Sequence, residues 1–165
     1  MRYARAILFG VFGAGAMSVV SAVLRAATVP VRIEMLLGTM TGLPPGTQAF
    51  LVGLLLHLAI GACFGLLYGA LFERVWNHGG AFVGMLTTIP HSLFIGMLVG
   101  FTPQFHPLVP NVIPEPGPYF AREGGWVGPV AFFGLHLLYG AIVGGGYGHV
   151  VSEHEWEPSK PIHGA

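Results

Sequence analysis

The chain contains no aspartate, only seven acidic residues in all (every one a glutamate), seven lysines and arginines, and one cysteine in 165 residues. Charged residues make up 8% of it, against about 25% in an ordinary soluble domain. Without aspartate there is no Ser-His-Asp triad. With Cys63 alone there is no intrachain disulfide framework, no cysteine zinc site and no thiolate-held iron–sulfur cluster. Cys63 sits in an apolar run and reads as a small buried hydrophobe. No glycine-rich nucleotide loop follows a strand, and there is no GKS/T loop and no HExxH helix. A formal net charge of zero removes the electrostatic reason to expect nucleic acid. Nothing in this inventory argues for an enzyme.

What the chain has in quantity is apolar surface. Hydrophobic residues are 53% of it, glycine accounts for 26 positions, and the mean hydropathy is +0.70. A soluble domain of this size has too little interior to hide so much, and a disordered chain is polar and charge-rich. The solvent is therefore lipid. The charges also leave long gaps, between Arg5 and Arg25, Glu34 and Glu73, Arg74 and Glu115, and Glu123 and Glu153. A helix needs about 20 apolar residues to cross the hydrocarbon core, and in lipid a spanning segment must satisfy its own backbone. Spans are expected at about Arg5–Ala27, Ala49–Phe72, Ala81–Phe101 and Val127–Val151. The first resembles a signal peptide, with Arg2 and Arg5 before it and small residues at Ala26 and Ala27. Its correspondence with a later span argues for a retained helix.

Four spans place both termini on one side, together with the short turn Glu73–Gly80. That side carries Arg2, Arg5, Arg74 and Lys160, and the other Arg25, Arg32 and Arg122. The small excess points to cytoplasmic termini, with Trp76 and Trp126 as interfacial anchors. In the first long loop, Val31–Met40 follows Pro30 and reads as a short interfacial helix, ended by Gly42–Gly46. In the second, Thr102–Gly125, repeated prolines exclude regular helix or central strand. Its apolar residues suit a cap over the bundle or a surface for a partner.

The chain repeats itself. Leu56-His57-Leu58-x-x-Gly61-Ala62-x-x-Gly65-x-x-Tyr68-Gly69 recurs as Leu135-His136-Leu137-x-x-Gly140-Ala141-x-x-Gly144-x-x-Tyr147-Gly148 at one constant offset. Gly10, Ser18 and Thr28 correspond more loosely to Gly84, Ser92 and Thr102. Two helix-pair units follow, about 1–78 and about 79–157, parallel rather than inverted, in a single membrane domain 1–165 with a polar tail at 158–165. Each span carries small residues at every fourth position, for example Ala6, Gly10, Ala14 and Ser18, or Gly84, Thr88, Ser92 and Gly96. In lipid, close backbone approach rather than apolar burial holds helices together, so these ridges are expected inside the bundle.

His57, His91 and His136 lie within spans, the first and last at matching positions of the repeat. Polar groups at this depth are costly and raise a functional hypothesis. Three readings compete. Each imidazole could be neutral and fix helix register through one hydrogen bond. His57 and His136 could be axial ligands of haem b or another tetrapyrrole, with Gly61 and Gly140 leaving room for the macrocycle, a reading weakened by the shortage of cations for its propionates, since Arg25, Arg32 and Arg122 alone lie on the nearer side. Or the histidines could line a path for protons or a small solute, though no carboxylate lies within a span. His91 follows Pro90, which frees the carbonyl of Leu86, and Thr87, Thr88 and Ser92 stand near enough to form a polar cluster with it. A copper site from Met35, Met40, Met85 or Met97 lacks any tight spacing. His149, Glu153 and His154 read as an exposed polar end.

The pieces His91…Gly100-Phe101-Thr102-Pro103 and His136-Leu137, preceded by His57 in a glycine-rich span, resemble the YagU-like group of small bacterial inner-membrane proteins. The segment Met35–Met40 and the two HLxxGAxxGxxYG spans are similar to related four-span prokaryotic proteins. That resemblance implies a four-helix inner-membrane protein and carries no activity, cofactor or catalytic residue. The expectation is an all-α integral membrane protein, four transmembrane helices in two repeated pairs with both termini on one side. Its expected role is a non-enzymatic accessory or structural subunit, contacting the bilayer and other subunits or a second copy. A haem-binding electron-transfer subunit and a solute or proton pathway are the alternatives.

Overall fold

A computed structural model describes residues 1–150, so Glu153, His154 and the tail at 158–165 lie outside the described residues. The described chain is helical, with no strand. Helix α1 spans Tyr3–Ala26, α2 Ile33–Thr39, α3 Thr47–Leu71, α4 Ala81–Val99, α5 Thr102–Phe105 and α6 Val127–Tyr147. A π-helical turn, Phe72–Trp76, extends α3 without a break, and a 3-10 turn at Arg122–Gly124 precedes α6. Four helices are long and apolar enough to cross a membrane: Tyr3–Ala26, Thr47–Trp76, Ala81–Val99 and Val127–Tyr147. Their exposed faces carry Leu55, Phe82, Phe94 and Val130. Cys63, expected to be buried, also lies on an exposed face, where an apolar thiol is as well placed among acyl chains as in a core. Such faces suit acyl chains and not water, and they fit a multi-pass membrane protein.

The ends of these helices follow from single residues. Asn77 takes a left-handed conformation (φ 48°) after the π turn, which asparagine tolerates better than most residues. Gly148 (φ 75°) ends α6 in the position where helices favour glycine. The polar turn expected at Glu73–Gly80 is shorter than its sequence implied, because Glu73–Trp76 continue the helix and only Asn77–Gly80 turn. The proline-rich loop also contains more helix than expected. Pro103 sits in the first turn of α5, where its missing N–H costs nothing.

Close packing is concentrated in two helix pairs. Between α1 and α3, a Cβ at Gly10 would collide with the carbonyl of Gly61, and one at Gly65 with that of Ala6. Between α4 and α6, a Cβ at Gly84 would collide with the carbonyl of Gly140, and one at Gly144 with that of Gly80. The two crossings also share a detail. Gly61 faces Ala14, and Gly140 faces Thr88. In the second pair the backbones are close enough for Gly80 N–H to donate to Gly144 C=O across helices (3.0 Å). Helix α1 also packs on α6, with Gly13 against Tyr139 and Phe9 against Gly146. Toward its C-terminus the α1 ridge drifts off register: Ser21 is buried, whereas Ala22 and Ala26 face outward.

The long loops are fastened by the same device. Helix α2 lies on α3, with Gly38 against the carbonyl of Ala49 and Gly53 against that of Glu34. The proline-rich loop docks Phe120 on Gly96 and Pro118 on Gly100, and Phe120 N–H donates to Gly96 C=O (2.9 Å). By contrast, α3 and α4 have no comparable backbone packing and are bridged by side chains. Substituting Gly84 by leucine should destabilise the bundle by at least the ~1–3 kcal/mol typical of overpacking. Gly134→Ala, where an added Cβ meets nothing within 4 Å, should be neutral or stabilising by up to about 1 kcal/mol. Thermal unfolding of the two variants in detergent would show the contrast.

Candidate functional site

A cavity of about 320 Å³ lies among the four spanning helices, on the side of the two long loops. Helix α1 contributes Ala14, Met17 and Ser21; α3 contributes His57, Ile60, Gly61 and Phe64; α4 contributes His91, Ile95 and Leu98; and α6 contributes Phe132, Leu135, His136 and Tyr139. Leu36, Leu37 and Met40 around α2, and His106, Pro114 and Pro116 from the proline-rich loop, form its roof. The lining is largely apolar with a few convergent polar groups, as small-molecule sites usually are.

The roof is latched. His106 is buried, and its Nδ1 accepts from Leu108 N–H (3.2 Å). A neutral ring that accepts at Nδ1 carries its proton on Nε2, which donates to Leu36 C=O (3.0 Å) beside the Thr39 hydroxyl (3.2 Å). A longer ion pair, Arg32 to Glu123 (3.9 Å), joins the same two loops. Farther along, Arg25 Nη1 holds Val31 C=O (3.0 Å) and Glu34 Oε2 (2.9 Å). Glu34 is fully buried, and its Oε1 has no protein partner among the described residues; it does not line the cavity.

At membrane depth the three span histidines converge on the cavity. His91 and His136 have ring centroids 5.3 Å apart, edge to face, and His91 stacks on Phe64 at 3.8 Å. Their hydrogen bonds assign their tautomers. His136 Nδ1 contacts Phe132 C=O (2.7 Å), and a carbonyl only accepts, so Nδ1 carries the proton. For His91 the assignment runs through a relay. Thr88 donates to Gly84 C=O (3.0 Å), Tyr68 donates to Thr88 Oγ1 (3.0 Å), and each hydroxyl has one proton to give. Tyr68 therefore accepts from His91 Nδ1–H (2.9 Å). His57 is the reverse case. Its Nδ1 meets Ser18 Oγ (2.9 Å), whose proton has no other acceptor among the described residues, so Ser18 donates and His57 keeps its proton on Nε2.

Among the described residues none of the three Nε2 atoms has a protein partner, and none is fully buried, the only buried, unpartnered side-chain N or O atom being Glu34 Oε1; all three rings line the cavity. The cavity thus presents one N–H donor, at His57, and two bare nitrogen acceptors, at His91 and His136. It opens sideways. Ile60, Leu98, Met40 and Phe105 both line it and are substantially exposed, which puts its mouth at the loosely packed seam of α3 and α4 under the roof. Away from the loops, Tyr68, Phe72, Val143 and Tyr147 form a buried core, and Tyr147 OH donates to Glu73.

No family model, no curated protein and no solved structure matches this chain. The site must be read from its own residues. His57, His91 and His136 are brought together. Thr88 joins them through Tyr68. Thr87 and Ser92 do not: their hydroxyls bond back to Val83 C=O (2.8 Å) and Ile89 C=O (3.0 Å). None of the three hydroxyls reaches the Leu86 carbonyl freed by Pro90. Threonine and serine in a helix have their own preceding turn as the nearest acceptor.

Gly61 and Gly140 are filled rather than open. The space a Cβ would take at Gly61 holds Ala14 and the Gly10 carbonyl, and at Gly140 it holds Thr88 and the Gly84 carbonyl. Tyr139 OH also donates to Gly61 C=O (2.6 Å). Neither glycine leaves room for a macrocycle, so the residues do not fit a tetrapyrrole there. Among the described residues no group of three His, Cys, Asp or Glu is placed to hold a metal ion.

Sequence reasoning passed over Tyr68, Ser18, Tyr139 and His106. The repeated Tyr-Gly step of α3 and α6 was a usable signal for Tyr68. Nothing local marked His106 as a latch, since its Nε2 partners, Leu36 C=O and the Thr39 hydroxyl, come from a distant loop. Replacing Tyr68 by phenylalanine should cost about 1 kcal/mol of stability, because it removes the acceptor that orients His91. Comparing its unfolding midpoint with that of Tyr119→Phe, an exposed tyrosine, would isolate the effect.

Proposed function

We propose that this chain is a non-enzymatic, multi-pass protein of a prokaryotic cytoplasmic membrane that holds a lipid-soluble small molecule in the cavity among its four spanning helices. We further propose that it arose by duplication of a helix pair and keeps its termini on the cytoplasmic side, as the resemblance to YagU-like proteins and the arginine distribution imply. The observation that carries the binding reading is an apolar cavity of about 320 Å³ lined by three imidazoles with unpartnered nitrogens. Its mouth faces the acyl chains at the α3–α4 seam, so an occupant enters from the bilayer. The parallel contacts Gly10–Gly61 and Gly84–Gly140 support the duplication.

The other readings have less behind them. A through-pathway is opposed by the packed core of Tyr68, Phe72 and Tyr147 on the far side of the cavity. An accessory subunit docking through its small-residue ridges would need those ridges free, and here they are occupied by helices of the same chain. A partner subunit would therefore meet the exposed apolar faces instead.

Binding of the fluorescent apolar probe 1-aminoanthracene to the protein in nanodiscs tests the cavity. Ile95→Trp, which fills it, and Leu98→Trp, which narrows its mouth, should each weaken binding about tenfold or more, a difference of about 1.4 kcal/mol. Unchanged affinity in both variants, with wild-type unfolding midpoints, would remove the cavity as the binding site.

A further inference from the structure

The polar groups of this cavity are not interchangeable, and their pattern specifies the occupant. We infer that the site selects a lipid-soluble molecule bearing a hydroxyl group, an alcohol or a phenol, over apolar molecules of the same size that can only accept hydrogen bonds. This inference rests on the reading of the cavity as a binding site.

The proton pattern is set by groups bonded to the Nδ1 atoms. Phe132 C=O takes the Nδ1 proton of His136, and the Gly84–Thr88–Tyr68 relay takes that of His91. Both rings are thereby committed to offering a bare Nε2 lone pair. Ser18 donates to His57 Nδ1 and commits that ring to offering Nε2–H. A bilayer-dissolved ketone, ester or ether can satisfy His57 and leaves both lone pairs unpaired. A carboxylate brings further negative charge toward those lone pairs. A hydroxyl accepts from His57 and, with its one proton, donates to one of the two lone pairs, and so matches a site of mixed sign better than any acceptor-only group. Because desolvating an acceptor without giving it a donor is more costly than any gain from the bond itself, the selectivity lies in rejecting acceptor-only molecules. The sign pattern comes from groups bonded to the Nδ1 atoms, so Ser18, Tyr68 and Phe132 C=O act through the rings as positioning groups.

Displacement of 1-aminoanthracene from the wild-type protein in nanodiscs by 1-dodecanol, 2-dodecanone and dodecyl methyl ether tests the inference. Concentrations are to be expressed per lipid, so that partitioning cancels. 1-Dodecanol should displace the probe at a concentration about tenfold or more below the other two, and His136→Phe should narrow that gap. If all three displace equally well, the selectivity is overturned while the cavity stands as a binding site. If none displaces a probe whose binding Ile95→Trp and Leu98→Trp weaken, the hydroxyl selectivity is overturned while the cavity stands; if the probe does not bind there at all, the binding reading fails and takes the inference with it. A measurement that needs no variant is ¹⁵N NMR of histidine-labelled wild-type protein. Unprotonated Nε2 at His91 and His136 with protonated Nε2 at His57 is expected, and the opposite assignment at His91 and His136 overturns the proposal whatever the displacement shows.

Discussion

The structure depends on the direct approach of helix backbones at glycine. In lipid, burying leucine against leucine gains little over leaving it among acyl chains, so contact must come from dispersion between closely apposed main chains. Gly10 against Gly61 and Gly84 against Gly140 supply it, and a single methyl at any of these positions would meet a carbonyl of the neighbouring helix. The roof elements use the same approach, at Gly38, Gly53, Gly96 and Gly100. Glycine's low helix propensity is the cost of this arrangement, and its removal would separate the helices.

Concentrating close contact in two pairs leaves their junctions unequal. Between α1 and α6 the fit is made by Tyr139 and Phe9 lying over glycines, whereas α3 and α4 are bridged by side chains, Phe64 on His91 and Tyr68 with His91 and Thr88. The cavity is the space this second junction does not fill. Its polar lining follows from the same fact, because an imidazole at a loose junction can satisfy one nitrogen on the protein and leave the other facing inward.

The four spans were legible because charge gaps and hydropathy are properties of the whole segment and need no partner. Glycine ridges were legible as packing surfaces for the same reason. What each histidine does was not. Sequence places His57 and His136 in identical motifs, yet one accepts a bond from Ser18 and the other donates to Phe132 C=O. Ser92, which corresponds to Ser18, turns back on Ile89 of its own helix. Such outcomes are decided by a hydroxyl's nearest acceptor in three dimensions. Gly61 and Gly140 misled in the same way: a missing side chain reads as space in one dimension, and in the bundle it is the point of closest contact. The roof was half legible, since Pro30 and the prolines after Thr102 marked the loops but nothing paired His106 with Leu36.

The continuous helix from Thr47 to Trp76 has 30 residues, whereas α4 has 19. At 1.5 Å per residue these are roughly 45 Å and 28 Å long, against a hydrocarbon layer of about 30 Å. The longer rod must lean or project into the headgroups, and the shorter one fits nearly upright. Because the turn Asn77–Gly80 ties the two together, a bilayer thin enough for the shorter helix obliges its longer neighbour to take up the surplus length by tilt or by projection.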